Sequence, residues 1–396
     1  MKRISQLLLA VLLAAPACTS SNTGGGGGDD TGGSNTGSNM TGDQWDQLLG
    51  ARVVDYNAAL RIASLRLTGN LPTMDDINSI ANAADDTAKK AAYETLIDKY
   101  MGTPAFASQM FYFWRDTFKQ GGDTAFDATL DTAPALAAEL SVNDGPYTDL
   151  FTRATGNCPT FNMTTGAFTD ADCGNGGPQA GVLANPGTMK QFFSNFGFRR
   201  TRWVQETFVC TKFPAEVAAT STNVGGSSPY TGVWPFTSIS TTMAKGGVGR
   251  VDFQDTSAVI CANCHSTINH VAPLFAYYDM NGQHTTAISV PTPLDGAPPA
   301  QMTDYLPATE TTAWRMGEPV ADMTALGAAM AQDPDVAACG VARIWNWALG
   351  KTDIVDTLEV VPADTIQAQI DAFKGNGFKL KSLIRAVYTS DDFVKF

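Results

Sequence analysis

The five residues Cys261-Ala262-Asn263-Cys264-His265 constrain this chain more than any other stretch. Two thiols three positions apart can reach the two vinyl groups of one porphyrin, and the histidine that follows is then held under the iron as its proximal ligand. The spacing is that of covalent c-type haem attachment. The rival readings are a redox-active cysteine pair, a half zinc site and a structural disulfide. A zinc site needs four ligands, and the sequence has no second Cys-x-x-Cys and no His-x-x-x-His to complete one. A thioredoxin-like pair belongs beside a βαβ pattern, and none surrounds Cys261.

The N-terminus points to the same compartment by different chemistry. Met1-Lys2-Arg3 is a short positive region, Leu7 to Leu13 is apolar, and Ala14-Ala15-Pro16-Ala17 is a small-residue cleavage site that ends at Cys18. A cysteine directly after such a site is the pattern of a bacterial lipoprotein signal. Residues 1–17 therefore read as a signal peptide and Cys18 as the lipid-bearing residue, because the apolar run is too short to span a bilayer. Pro16 departs from the usual signal, which leaves a soluble periplasmic product as the alternative. Both routes export the chain, and haem c is attached after export. Residues 18–42, rich in Gly, Ser, Asn and Asp, have little apolar surface to bury and read as a flexible tether.

Residues 43–396 exceed the usual size of one core and can hold several subdomains. The net charge of -13 argues against nucleic acid as a partner, since phosphate binding needs clustered Lys and Arg. An acidic surface suits a basic redox partner. Of the seven cysteines, Cys18 is assigned to lipid and Cys261 with Cys264 to haem. Cys158, Cys173, Cys210 and Cys339 remain, an even number in an oxidising compartment, and two disulfides are expected. Cys158 with Cys173 would staple one polar loop, and Cys210 with Cys339 would join distant chain; the other two pairings stay open. Asp170 and Asp172 in that loop lack the ligand spacing of a known calcium loop and read as a solvated turn.

Apolar periodicity predicts a mainly α fold with long irregular Gly-, Asn- and Thr-rich loops. Helices are expected over Trp45–Leu67, Asp75–Ala83, Asp85–Met101 and from Pro104 through Phe118, where proline suits a first turn. Residues 118–185 read as loops with short helical pieces, and a helix returns from Met189 through Cys210. Residues 221–249 read as irregular chain. The haem motif is expected at the end of a short helix entered through Thr256 to Ile260. Glu318–Gln332, Asp335–Leu349, Asp364–Lys374 and Leu380–Phe393 complete the helices, with Gly350 placed to stop the second of them.

Three blocks in order resemble the Planctomycete cytochrome C families, exported proteins built from serial domains of unknown function around one Cys-x-x-Cys-His. "RLTGNLP" with "LIDKYMGTPAFASQMFYFWRDTF" is similar to the opening helical domain. "GVLANPGTMKQFFSNFGFRRTRWVQETFVCTKFP", leading to "CANCHSTINHVAPLFAYYDMNG", resembles the haem domain with its aromatic-Asp-x-x-Gly element. "ACGVARIWNWALGK" and "LKSLIRAVYTSDDF" resemble the closing helical domain. Where the family flanks that Asp with an acidic residue and an Arg, this chain has Ala276 and His284. The resemblance implies helical domains over 43–155 and 311–396 around a single haem c domain over 156–310.

The sixth iron ligand decides what such a chain does. A methionine raises the potential and favours electron transfer, a second histidine lowers it, and an open position admits peroxide or oxygen. Met316 and Met302, in loop-like sequence after the motif, are the distal candidates, Met316 ahead; Met243 and Met280 follow, each also suited to core packing. His270 lies too close to His265 to reach the far haem face and reads as a surface or supporting residue. His284 reads as a solvated loop histidine. Arg199, Arg200, Arg202 and Arg250 can pair with haem propionates, surface ion pairs being their commoner use. His265 is expected to donate its other ring nitrogen to a backbone carbonyl. The expected function is an exported, lipid-anchored mono-haem cytochrome that passes electrons between partner proteins. A haem-dependent oxidoreductase or peroxidase-like enzyme, and a haem-bearing binding module, are the alternatives.

Overall fold

Asp55 divides the first predicted helix. In extended backbone (φ -132°), its carboxylate accepts from the Asn57 and Ala58 amides and starts a new helix, so Trp45–Leu67 is two helices, α1 (Gly42–Ala51) and α2 (Tyr56–Thr68). The computed structural model describes residues 42–121, 127–212, 259–292, 299–306, 308–351 and 361–396. The signal segment, Cys18, Met243, Arg250 and residues 221–249 lie outside the described residues. Residues 1–51 and 52–396 form two units. Helix α1 is what is described of the first, and all that follows concerns the second.

Just before α2, the Val53 amide donates to the Phe396 carbonyl and the Phe396 amide donates back, each at 3.0 Å. The next helices keep close to their sequence signals. Helix α3 (Met74–Ala81) starts with a capping box between Thr73 and Asp76, α4 (Asp86–Met101) with Asp85 as cap, and α5 (Pro104–Phe118) with Thr103 as cap and proline in its first turn. The buried Asp76 carboxylate also takes Lys99 Nζ at 2.7 Å and Tyr100 Oη at 3.1 Å. Burial alone would raise its pKa. The bonds from Lys99, Thr73 and Tyr100 outweigh that and hold it below the usual carboxylate range. A depressed folded pKa stabilises the protein above the ordinary carboxylate range, and this contribution is lost as pH falls through the folded value. Asp76→Asn is expected to cost about 1–2 kcal/mol near neutral pH. Its deficit should shrink on acidification, which urea titrations at several pH values will read; a deficit independent of pH would contradict the assignment.

Residues 118–185 hold more structure than their composition suggests. Helix α6 (Thr132–Val142), followed by the single turn α7 (Asp149–Thr152), is buried from Ala133 to Ser141, and a helix buried all round shows no apolar-polar period. Its small side chains let α5 approach, and Trp114 Nε1 donates to Ser141 Oγ at 2.8 Å. A two-stranded hairpin, β1 (Thr160–Asn162) and β2 (Ala167–Thr169), follows with Phe161 opposite Phe168. A disulfide between Cys158 and Cys173 flanks it.

The predicted helix Met189–Cys210 is also broken. Helix α8 (Pro186–Gln191) and helix α9 (Phe198–Phe208) are separated at Phe196 and Gly197, both with positive φ. Cys210, just past α9, is disulfide-bonded to Cys339, so both disulfides pair as first considered.

Helix α10 (Val259–Phe275) and the short α11 (Met302–Tyr305) lead to a second hairpin, β3 (Ala313–Trp314) with β4 (Glu318–Pro319). Residues 318–319 are therefore extended, and α12 (Met323–Gln332) begins only after its cap, Asp322. Gly327 on α12 sits against the Phe151 carbonyl of α7, where a Cβ would come within 2.1 Å of the oxygen. Helix α13 (Pro334–Ala348) ends as expected before Gly350, which has φ +67°. A helix Ala363–Gly375 follows, and Leu380–Phe393 proves to be Leu380–Tyr388 plus the turn Asp391–Val394.

The fold is mainly helical. One core runs from Ala59 to Val394 and draws on all three expected segments. A smaller apolar cluster of Phe196, Ile268, Ala272, Ala276, Val290, Ala300, Tyr305 and Leu306 lies around α10.

Candidate haem attachment site

Helix α10 carries Cys261-Ala262-Asn263-Cys264-His265 in its first two turns and continues ten residues beyond, so the motif opens a long helix and does not end a short one. Helical geometry sets Cys261 one turn before both Cys264 and His265. The Cys261 side chain lies outside the described residues. Cys264 is half-buried, is not in a disulfide and packs against the smaller apolar cluster.

His265 Nδ1 lies 2.9 Å from Asn269 Oδ1, one turn along the same helix. This corrects the expected backbone carbonyl: inside a helix those carbonyls are taken by the i→i+4 ladder, and a buried side-chain amide supplies the acceptor. Asn269 is fully buried. Burial pushes the His265 pKa down, and the bond to Asn269 only partly opposes it. With Nδ1–H given to Asn269, the neutral ring keeps its Nε2 lone pair for a metal. Phe198 of α9 meets the imidazole edge-on at a centroid distance of 5.2 Å, and in turn contacts Phe196 and Tyr305. The Tyr305 hydroxyl donates to the Phe196 carbonyl at 2.9 Å, which ties α11 to the turn before α9.

The distal candidates are placed unequally. Met302 begins α11 and is 41% exposed, and Met280 is 64% exposed. Met316 lies in the turn Arg315–Gly317 directly after β3; its side chain is outside the described residues. Both α11 and β3 pack against α10.

His270 is buried, contrary to the surface reading, with Nε2 3.1 Å from Glu310 Oε2. His284 lies in loop chain as expected but is half-buried. Its ring sits 5.0 Å from Tyr278 and 6.1 Å from Tyr277, and its amide donates to the Asn175 carbonyl. Burial lowers its pKa.

Arg200 departs furthest from expectation. It is fully buried and makes five hydrogen bonds, all to backbone carbonyls: two to Met189 and one each to Phe275, Tyr278 and Asp279. Its guanidinium thus ties α8 to the end of α10 and to Tyr278-Asp279-Met280-Asn281-Gly282. Without a bonded carboxylate, burial lowers its pKa to about 10. The Asp279 carboxylate caps the same turn by accepting from Asn281 and Gln283, and Gly282 (φ +75°) fits against Pro186. Arg202 makes the expected surface pair, with Glu206 at 2.7 Å, and Arg199 lies over the Phe192 ring. Asp170 and Asp172 lie in exposed irregular chain after β2, contacting Arg153 and the Gly156 amide respectively.

Comparison with known protein families, with curated proteins and with solved structures returns no match. Among the described residues, no group of three or more His, Cys, Asp or Glu is gathered as for a metal ion. No described helix is long and apolar enough to cross a membrane. Sequence reasoning missed Asn269 and the role of Arg200. The first has a signal, an amide one turn after the histidine of the motif.

Proposed function

We propose that the chain is an exported mono-haem c-type cytochrome, anchored through Cys18, that transfers single electrons to and from a partner protein. One observation supports it above the rest. A half-buried Cys264 thiol, a His265 ring whose Nδ1 is held by Asn269, and an apolar wall of Phe198, Ile268 and Tyr305 stand at the start of one helix. With Cys261, which the sequence sets one turn earlier, that donor set has the chemistry a covalently held haem requires: two thiols for the thioethers and one imidazole Nε2 for the iron. When bound, haem supplies the one-electron couple. His265 Nε2 would hold the iron, Asn269 would keep the ring's tautomer, and the apolar side chains would exclude water. Met316 is the proposed distal ligand and Met302 the second choice.

The test is expression with a haem c maturation system, then acid-acetone extraction and a reduced pyridine haemochrome spectrum. Haem is expected to stay with the protein and show the α-band of two saturated vinyl groups. In Cys264→Ser that band should shift to the position of one unsaturated vinyl, with both disulfides still formed. Correctly folded protein without covalent haem would sink the proposal.

A further inference from the structure

A cleft of about 340 Å³ lies between α2, α5 and the end of α13, away from the haem motif in the sequence. Its charge runs against that of the chain. The protein carries a net charge of -13, yet Arg66, Arg343 and Lys351 face this cleft against one carboxylate, Asp116. Arg343 is committed through Nε and Nη2 to the Thr207 and Glu206 carbonyls, so it contributes charge more than donors. Arg66 and Lys351 have no ion-pair partner among the described residues. Arg66 rests against Gly350, where a Cβ would meet its Nη2 at 2.8 Å.

A second observation concerns hydrogen bonding. Asn346 lines the cleft and is 5% exposed, and its amide Nδ2 has no acceptor among the described residues. A buried donor without an acceptor is uncommon in folded proteins and calls for a partner. The two cations favour negative charge and the amide N–H needs an acceptor, and a carboxylate supplies both. The walls add a shape requirement, because Tyr112, 44% exposed, and Trp347, tilted against Phe113 with centroids 5.3 Å apart, present aromatic surface. Flat rings bind well beside flat rings, and the volume lies in the range of small-ligand pockets.

We infer that this cleft binds an aromatic carboxylate, with the carboxylate toward Arg66, Lys351 and Asn346 Nδ2 and the ring against Tyr112 and Trp347. The inference is independent of haem, since none of these residues belongs to the attachment site.

Isothermal titration of the purified chain with benzoate tests it, with benzamide as the neutral analogue and sulfate as the anion without a ring. Benzoate is expected to bind one to one and to weaken with added salt. The Arg66→Gln/Lys351→Gln variant should lose about tenfold or more in affinity, and Asn346→Leu several-fold. Benzamide should show no measurable heat. Circular dichroism and thermal melting establish that each variant is folded, and the charge variant, altered at half-buried and exposed positions, guards against failure of Asn346→Leu to fold. No binding of benzoate at millimolar concentration, benzamide binding as tightly as benzoate, or unchanged affinity in a folded Arg66→Gln/Lys351→Gln protein would each overturn the inference. Sulfate competing as well as benzoate would overturn the aromatic part.

Discussion

An Arg200→Met variant is expected to unfold at a much lower urea concentration than the parent chain, having lost about 4 kcal/mol of stability. Methionine keeps much of the side-chain volume, so the loss reports hydrogen bonds more than a cavity. Four carbonyls, those of buried Met189, Phe275 and Tyr278 and of half-buried Asp279, would lose their common donor. Each such loss costs about 1–3 kcal/mol when the group stays dry. The opposing effect is the desolvation of the guanidinium itself, which the variant no longer bears. Hence the expected figure lies near the lower end of the summed range. Arg200→Lys should recover only a fraction, because one ammonium cannot serve carbonyls on α8 and at the end of α10 together. A loss below about 1 kcal/mol in Arg200→Met, from urea titration followed by circular dichroism, would show that the four carbonyls find other donors.

Removing the Cys210–Cys339 disulfide is the second large effect, about 3–5 kcal/mol for the Cys210→Ser/Cys339→Ser pair. The two cysteines are 129 residues apart in sequence, so the cross-link restricts a long stretch of unfolded chain. Cys158 and Cys173 are only 15 apart, and their removal should cost about 3 kcal/mol or less. The long-range bond also acts where α9 ends. Arg343 of α13 donates to the Glu206 and Thr207 carbonyls, which the last turn of α9 would otherwise leave open, and Cys210 sits next to them at φ +57°. Losing the disulfide therefore loosens the frame in which Phe198 meets His265. Paired urea titrations of the two double-serine variants give the order of the losses. A larger loss for the Cys158/Cys173 pair would contradict it.

What the sequence made legible, and what it hid, follows physical lines. Helix α5 was readable to the residue because Thr103, Pro104 and the aromatic spacing all mark the same boundaries. The buried α6 was hidden, since its Ala-rich, evenly apolar sequence carries no period. Breaks at Asp55 and at Phe196-Gly197 were hidden for another reason: apolar spacing continues across them, while a cap and two left-handed residues redirect the backbone. At the candidate site, the identities of Cys261, Cys264 and His265 were plain from spacing. Their support was not, because Asn269 and Phe198 act through tertiary contact. Arg200 was misread because charge usually signals solvent, and only the fold reveals four carbonyls converging on one position. The cleft of Arg66, Tyr112 and Lys351 left no trace in sequence at all, its residues coming from α2, α5 and the chain just past α13.

The paired amides and carbonyls of Val53 and Phe396 give the larger unit a further property. Its two ends are held within about 5 Å, the width of one strand pairing. An unfolded stretch of the same length has a radius of gyration of roughly 65 Å, and its ends lie farther apart still. The distance between positions 53 and 396 is therefore a natural molecular ruler: a donor and acceptor dye placed there would report collapse of the whole unit as a single change in energy transfer.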